Sequence, residues 1–541
     1  MASTLIYGYY DVLVIVASFG LCAFIVHYIR SPYRKVPAGP RGIPILGNLF
    51  QLHVDMVPSF MKWQKTFGDI CYINIAGQSM IIINSAKIAF DLLDRHLANY
   101  SERAHTIVGG EILCGGLFFA VNPHNSVTRR MRRATHEAMN NQASWKYYPV
   151  QAIEAILLTL SLLDQPEAYN HHLQHTHTCR PGGHLVEFFP WLLYIPQSFA
   201  KWKREAMCWF RHYTKVFENL VGDVAKRMDT GTSCPCFTAS LIDNANAGVS
   251  NLSNREIAWA AGGLFAAGAE TTASIMDWFL LMMIAFPEVQ MHAQEELDAV
   301  VGHSRRTSVP LGLPHRSLED NWYEGMFIPK GMICIPNIHY MNRDPRVFGP
   351  DVAEFKPERY LDATGAIRAN SADDHYNFGF GHRICPGRYV ASNTLFVNIA
   401  VLLWAAKISR GKGDVGPLDL EGYVNMGTVV HPTPFTCDIQ PRFPEASHIL
   451  SHEKELSSHD QSPEISELWE NESYVQGVVR DASGLDAVQH LPSSVKVGLS
   501  VDSTQLSPYL SVSSQTTDTQ LLVTAHASVL PYLMFTGQTP R

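Results

Sequence analysis

The chain has no basic excess: its 541 residues carry 42 Lys+Arg against 50 Asp+Glu, a formal charge of −8. A nucleic-acid surface of the usual cationic kind is therefore not expected. Charged residues make up only 17% of the chain against 46% hydrophobic, which excludes a chain disordered throughout or a collagen-like repeat and leaves side chains for a large core. The ten cysteines, at 22, 71, 114, 179, 208, 234, 236, 334, 385 and 437, form no C-x-x-C pair and no regular spacing. Neither a disulfide scaffold nor a zinc finger fits that pattern. No internal repeat is visible at any solenoid-like period.

Basic residues are also missing ahead of the first apolar run, VLVIVASFGLCAFIVHYI (Val12 to Ile29), and follow it instead as Arg30, Arg34, Lys35 and Arg41. A cleaved signal peptide shows the reverse order, and a helix of that length nearly crosses the hydrocarbon core at ~1.5 Å per residue. Residues 1–29 are therefore expected to be a single-pass transmembrane helix, with the positive flank keeping the following domain cytosolic. The turn-rich VPAGPRGIPILGN places a hinge over 30–48.

Beyond the hinge the patterning is mainly α with small β-sheets. Ile70 to Ser85 predicts two strands around a Gly-Gln turn, and Ser85 to Tyr100 a capped amphipathic helix. Trp145 to Pro287 is mainly helical and ends in a run, Ile257 to Phe286, apolar on every face and so expected in the interior. Short strands between Pro310 and Pro357, an apolar helix near Tyr389 to Lys407 and strands toward Cys437 complete a domain over 49–443. The serine-rich stretch 444–541 has poor hydrophobic periodicity and is expected to be disordered.

The sharpest local pattern is FGFGHRICPG, Phe378 to Gly387: a cysteine in a glycine-rich loop, two residues after Arg383 and just before a helix. A guanidinium and a helix N-terminus both favour a thiolate, and glycines let backbone amides approach the sulfur. A cysteine thiolate on haem iron favours O–O cleavage. A dinucleotide loop fits poorly, since Ile384 stands where a third glycine belongs.

A second pattern is AGAETT, Ala267 to Thr272. Gly268 and Thr271 share a helix face, where a missing side chain beside a hydroxyl opens a groove for a small ligand. Glu270 in so apolar a run needs a purpose or a partner. A third is TRRMRR, Thr128 to Arg133, whose default reading is a solvated basic face.

These segments, with FKPERY and the hinge, appear in the order found in the cytochrome P450 family, and the chain resembles that family over most of residues 1–443. PLGLPHRSLEDNWYEGMFIPKG and HLVEFFPWLLYIP resemble fungal microsomal members of the O-methylsterigmatocystin oxidoreductase type. The resemblance implies the cytochrome P450 fold and haem b, with Cys385 as axial iron ligand, Phe378 shielding the sulfur, and Arg383 and Arg132 near the propionates. Gly381 and Gly387 complete the loop. It assigns Glu270 and Thr271 to proton delivery toward dioxygen held in the groove at Gly268. It further implies an NADPH-cytochrome P450 reductase as electron donor, an apolar small-molecule substrate such as a fungal secondary metabolite or aromatic xenobiotic, and residence in the endoplasmic reticulum membrane.

The family's E-x-x-R motif, which locks onto the arginine of FKPERY, here Arg359, is absent: no Glu in the chain is followed by Arg at the third position. A helix is missing before Val309, and a helical stretch is shortened near 178–183. Arg359 is then expected to be solvated or paired opportunistically. The absence raises, as an alternative, an inactive or misfolded membrane protein; a haem-thiolate isomerase or dehydratase is another.

Overall fold

The computed structural model describes residues 18–459 other than 21, 23–24, 27–28, 54, 167–168, 170–185, 187–189, 233–235, 296–308, 361–374 and 426–427. Among the described residues helices dominate, with one five-stranded sheet and three two-stranded ones. Strands β1 (Ile70–Ile75) and β2 (Gln78–Ile83) form the expected hairpin, in register from Ile70↔Ile83 to Ile75↔Gln78. The turn falls on Ala76–Gly77, one residue earlier than predicted. Gly77 supplies the left-handed conformation (φ 91°), and its amide donates to Asn74 Oδ1 at 3.0 Å.

The sheet grows through distant strands, β3 (Glu102–Arg103), β4 (His315–Arg316) and β5 (Ile333–Pro336), in the order β1-β2-β5-β4-β3. β5 runs parallel to β2, from Met80↔Ile333 to Ile83↔Pro336. That pairing buries Ile81, Ile82 and Ile83 completely. Between β2 and β3 the predicted single helix is broken into Ala86–Ala89, a π-helical Phe90–Arg95 and Leu97–Tyr100, and Ser85 makes no side-chain cap. The wide turn carries Leu93 and Asp94 to the cysteine loop, and π-turns recur at functional sites for such reasons.

Five helices frame the site: α1 (Met56–Phe67), α2 (Ser126–Met139), α3 (Tyr148–Asp164), α4 (Lys201–Thr230) and α5 (Asn254–Ala285). A capping box between Ser253 and Glu256 starts α5, the helix expected in the interior. α6 (Pro287–Glu295) follows directly. The second half of α5 packs with α7 (Arg388–Ala405), β6 (Ala406–Arg410) and β9 (Cys437–Pro441) around Met276, Leu280, Leu402 and Ile439. Between them lies the hairpin β7 (Tyr423–Asn425) and β8 (Val430–Pro432).

The expectation of disorder from residue 444 onward is corrected at its start. Ala446–His459 is a helix, α8, with Ala446 and Leu450 buried against Ala405, Ile156, Leu160 and Trp404. Weak periodicity hid it because it buries only a narrow stripe. Residues 460–541 lie outside the described residues. Leu450→Ala is expected to cost about 2–5 kcal/mol in chemical denaturation, the usual penalty for a buried leucine, whereas Leu456→Ala, at a site 52% exposed, should be close to neutral.

Among the described residues no single helix is long and apolar enough to cross a membrane. The predicted anchor lies largely outside them; its described positions, including Phe19, Ile25, Val26 and Ile29, are helical and exposed.

Candidate active site

The segment Phe378–Gly387 closes on itself: the Cys385 amide donates to the Phe378 carbonyl at 2.8 Å, across a short 3-10 turn, Gly381–Arg383. Gly381 cannot be replaced without movement. Its φ is 58°, a Cβ would stand 2.1 Å from the Leu93 carbonyl oxygen, and its amide donates to Asp94. Gly387 has ordinary φ and room for a Cβ, with the nearest atom, Met139 Sδ, at 4.0 Å; its contribution is an amide that donates to the Cys385 sulfur. Phe378 is half-buried, its ring 5.2 Å from that of His375.

The electrostatics of Cys385 differ from the sequence reading. Burial pushes the thiol up, and the Gly387 amide, Arg132 and Arg388 pull it down without overcoming that effect. Arg383 is not among those neighbours. Its three donor nitrogens turn away to the carbonyls of Ser101 (2.8 Å), Phe119 (3.1 Å) and Asn122 (2.9 Å). The guanidinium that reaches the loop is Arg132, bonded to the Ile384 carbonyl at 2.7 Å.

Sequence reasoning missed Arg103 and His315. Arg103 is buried and donates to the carbonyls of Ala120, Leu313 and Pro314. His315 is buried beside it, Nδ1 2.8 Å from the Tyr100 carbonyl, and burial followed by the Arg103 charge drives its pKa down to about 3. Arg103, Arg132 and Arg383 all have depressed pKa values, through burial first and then, for Arg103 and Arg383, repulsion within the cluster. Guanidinium stays charged all the same. Both missed residues stood in plain view, Arg103 just after the helical stretch ending at Tyr100 and His315 within PLGLPHR, but only the β3–β4 pairing of Arg103 with His315 brings them together.

Two buried cations, Arg103 and Arg383, and the half-buried Arg132, with one nearby carboxylate among the described residues, Glu102, itself accepting from the amides of Arg103 and His124, call for added negative charge. Around them, among the described residues, the side chain of Asn122, Thr128 Oγ1 and His124 Nδ1 are buried without hydrogen-bond partners. These features fit a group with carboxylates. A flat apolar body also has room. In the middle of α5, flanked by buried residues on both sides, Phe265, Ala267 and Gly268 are exposed, and a Cβ on Gly268 would meet nothing within 4 Å. Thr271, half-buried on the same face, donates to the Ala267 carbonyl at 2.8 Å, and Glu270 is half-buried next to it.

The run TRRMRR is less of a solvated face than its composition predicts. Arg130 pairs with Glu256 at 2.5 Å and Arg132 points inward, leaving Arg129 and Arg133 exposed, the latter 3.1 Å from Glu137. Arg359 is paired opportunistically: it binds Asp351 Oδ1 and the carbonyls of Phe348 and Asp351, each at 2.8 Å. Its buried Nε has no partner among the described residues.

The family model for cytochrome P450 matches residues 37–162, 125–309 and 305–417. A cytochrome P450 monooxygenase of Armillaria gallica is 41% identical over 494 residues, covering 80% of this chain and 94% of its own length. The chain belongs to the cytochrome P450 family. Cytochrome P450 monooxygenase 253 of Postia placenta is 36% identical, covering 80% of this chain and 94% of the relative; cytochrome P450 monooxygenase iboC of Amanita muscaria is 34% identical, covering 78% and 94%. As a cytochrome P450, the chain is a haem-thiolate oxidoreductase of mostly helical fold, with haem b as cofactor.

Proposed function

We propose that this cytochrome P450 oxidises an apolar small molecule in the space under α5, with Cys385 as the iron ligand. Haem supplies the activation of dioxygen when bound. The observation that carries the reading is the crowding of Arg103, Arg132 and Arg383 behind the cysteine loop, three charges, two of them buried, that two propionates together with Glu102 would neutralise. Arg132 spans both parts, bonded to the loop at Ile384 and contributing to the Cys385 environment. A carbon-monoxide difference spectrum of the reduced full chain tests it. A Soret band at the thiolate position is expected, and one at the position of a neutral thiol or imidazole ligand would overturn the assignment.

The proton path is assigned to Glu270 and Thr271. The Thr271 hydroxyl is engaged with Ala267 and must rotate to donate toward a ligand over Gly268; Glu270, one residue earlier, supplies protons through water. Thr271→Ala should leave haem content unchanged while product per NADPH falls by about tenfold and peroxide rises, since the hydroxyl matters only after dioxygen is bound. Unchanged coupling would remove Thr271 from the path.

The substrate is assigned to the apolar class because Phe265, Ala266 and Ala267 line the open face, and Thr428–Val430 approach from the β7–β8 hairpin. Leu311 packs onto the α1 cluster with Met56 and Phe60. A fungal secondary metabolite or aromatic xenobiotic fits that lining. Electrons are assigned to an NADPH-cytochrome P450 reductase meeting exposed Arg129 and Arg133, and the N-terminal apolar run to an anchor in the endoplasmic reticulum membrane.

A further inference from the structure

Asp277 lies in the most apolar half of α5, only 1% exposed. A carboxylate there costs stability unless it is paired, and even a paired one is seldom better than a hydrophobic side chain of the same size. Its partner is His431 on β8, also buried, with Nδ1 2.6 Å from Asp277 Oδ2. Two more α5 side chains hold the same strand: Ser274 Oγ and Trp278 Nε1 donate to the Val430 carbonyl, at 2.7 and 3.3 Å. The other strand of the hairpin is held by a second aspartate. On β7, the Tyr423 hydroxyl donates to Asp55 and Asn425 Nδ2 donates to Asp55 Oδ1 at 3.4 Å, while Asp55 also caps α1 through the Val57 amide.

The hairpin is therefore tied to α5 on one strand and to α1 on the other. Ser274 follows Thr271 by three residues on the same helix face, a rise of ~4.5 Å. The tie to Val430 thus sits one turn from the proton-delivery pair, and Thr428, just before it, is exposed.

We propose that Asp277 and His431, together with Tyr423 on the opposite strand and its partner Asp55 at the start of α1, are positioning residues that fix Thr428–Val430 beside the oxidation site and so set the size of molecule it admits. The inference rests on the proposed haem site for its second half only. The first half, that the two carboxylates pin the hairpin, concerns the polypeptide alone.

The two halves are tested separately on the full chain. Hydrogen exchange at the hairpin amides should quicken by about tenfold in Asp277→Leu and in His431→Phe, the loss of one buried hydrogen bond to a charged group. Asp277→Asn, which keeps an acceptor for Nδ1–H, should restore most of the protection. Tyr423→Phe, a milder change on the other strand, should quicken exchange in β7. Wild-type protection in all of these variants would overturn the clamp.

The second half is read with two nitrogen ligands of iron, imidazole and the bulky clotrimazole, by difference spectroscopy. The same variants should change the clotrimazole dissociation constant by about tenfold and leave that of imidazole unchanged. Faster exchange with both affinities unchanged would overturn the size-setting role, since a structural defect alone moves neither ligand selectively. Absence of the iron–nitrogen band in the wild-type chain would instead count against the haem site, and the exchange experiment would still decide the clamp.

Discussion

Cys385→Ala is expected to abolish thiolate ligation and monooxygenation together, with no residual activity at the detection limit. No other described cysteine has a comparable setting. Cys71, Cys114, Cys334 and Cys437 are buried, and burial pushes Cys71 and Cys437 up to about 12 and Cys334 higher still. Cys236 caps the helix Phe237–Asn246, its sulfur accepting the Ala239 amide at 3.4 Å, but it belongs to no glycine-rich loop. At Cys385 burial raises the thiol, so the Gly387 amide and Arg132 matter most once a cation binds the sulfur and fixes it as thiolate. Haem content by pyridine haemochrome and the reduced carbon-monoxide spectrum report the two losses separately. Retention of the thiolate band in the alanine variant would overturn the assignment.

A comparably large change, in the opposite direction, is expected from restoring the missing helix. Inserting a helical segment with E-x-x-R between Arg306 and Thr307 should raise the haem-bound fraction severalfold, and by less when the inserted Glu is replaced by Ala. The reason lies at Arg359, whose side chain is 10% exposed and whose Nε has no acceptor among the described residues. A carboxylate from the inserted helix would take that donor, while the helix itself would cover apolar surface at ~25 cal/mol per Å² against a net stability of about 5–15 kcal/mol. The alignment with the Armillaria relative supports an internal gap: it runs over 494 residues yet draws on only 80% of this 541-residue chain. Stoichiometric haem uptake and turnover by the unmodified chain would mean that Asp351 and the carbonyls around Arg359 suffice.

The parts of the molecule legible in the sequence are those set by local pattern. The central helix α5 was legible because small apolar residues on every face exclude a surface position, and β1–β2 because strict patterning brackets a turn. The cysteine loop was legible because glycine, arginine and cysteine stand within a few residues. What stayed hidden depends on long-range pairing. Arg383 looked like the partner of Cys385 by proximity in sequence, but three carbonyls from 101 to 122 capture it, and Arg132, more than 250 residues before the cysteine, takes its place. Arg103 and His315 meet only because β3 pairs with β4. Asp277 drew no reading from its place in the apolar run Ile257 to Phe286, because its partner is a histidine 154 residues away.

The parallel pairing of β2 with β5 has a consequence for how the chain is made. Asn84 and Asn337, which bond across the ends of those strands, are 253 residues apart. During synthesis the β1–β2 hairpin emerges early and can form at once, but the free edge of β2, with its run Ile81, Ile82, Ile83, waits for most of the domain before β5 covers it. An uncovered isoleucine edge is a template for pairing with other chains. Yield of soluble protein should therefore depend on translation speed and chaperone supply more than on the stability of the finished fold, and Ile82→Thr, which lowers the apolar character of that edge, should shift nascent chains from the pellet toward the soluble fraction even as it weakens the completed sheet.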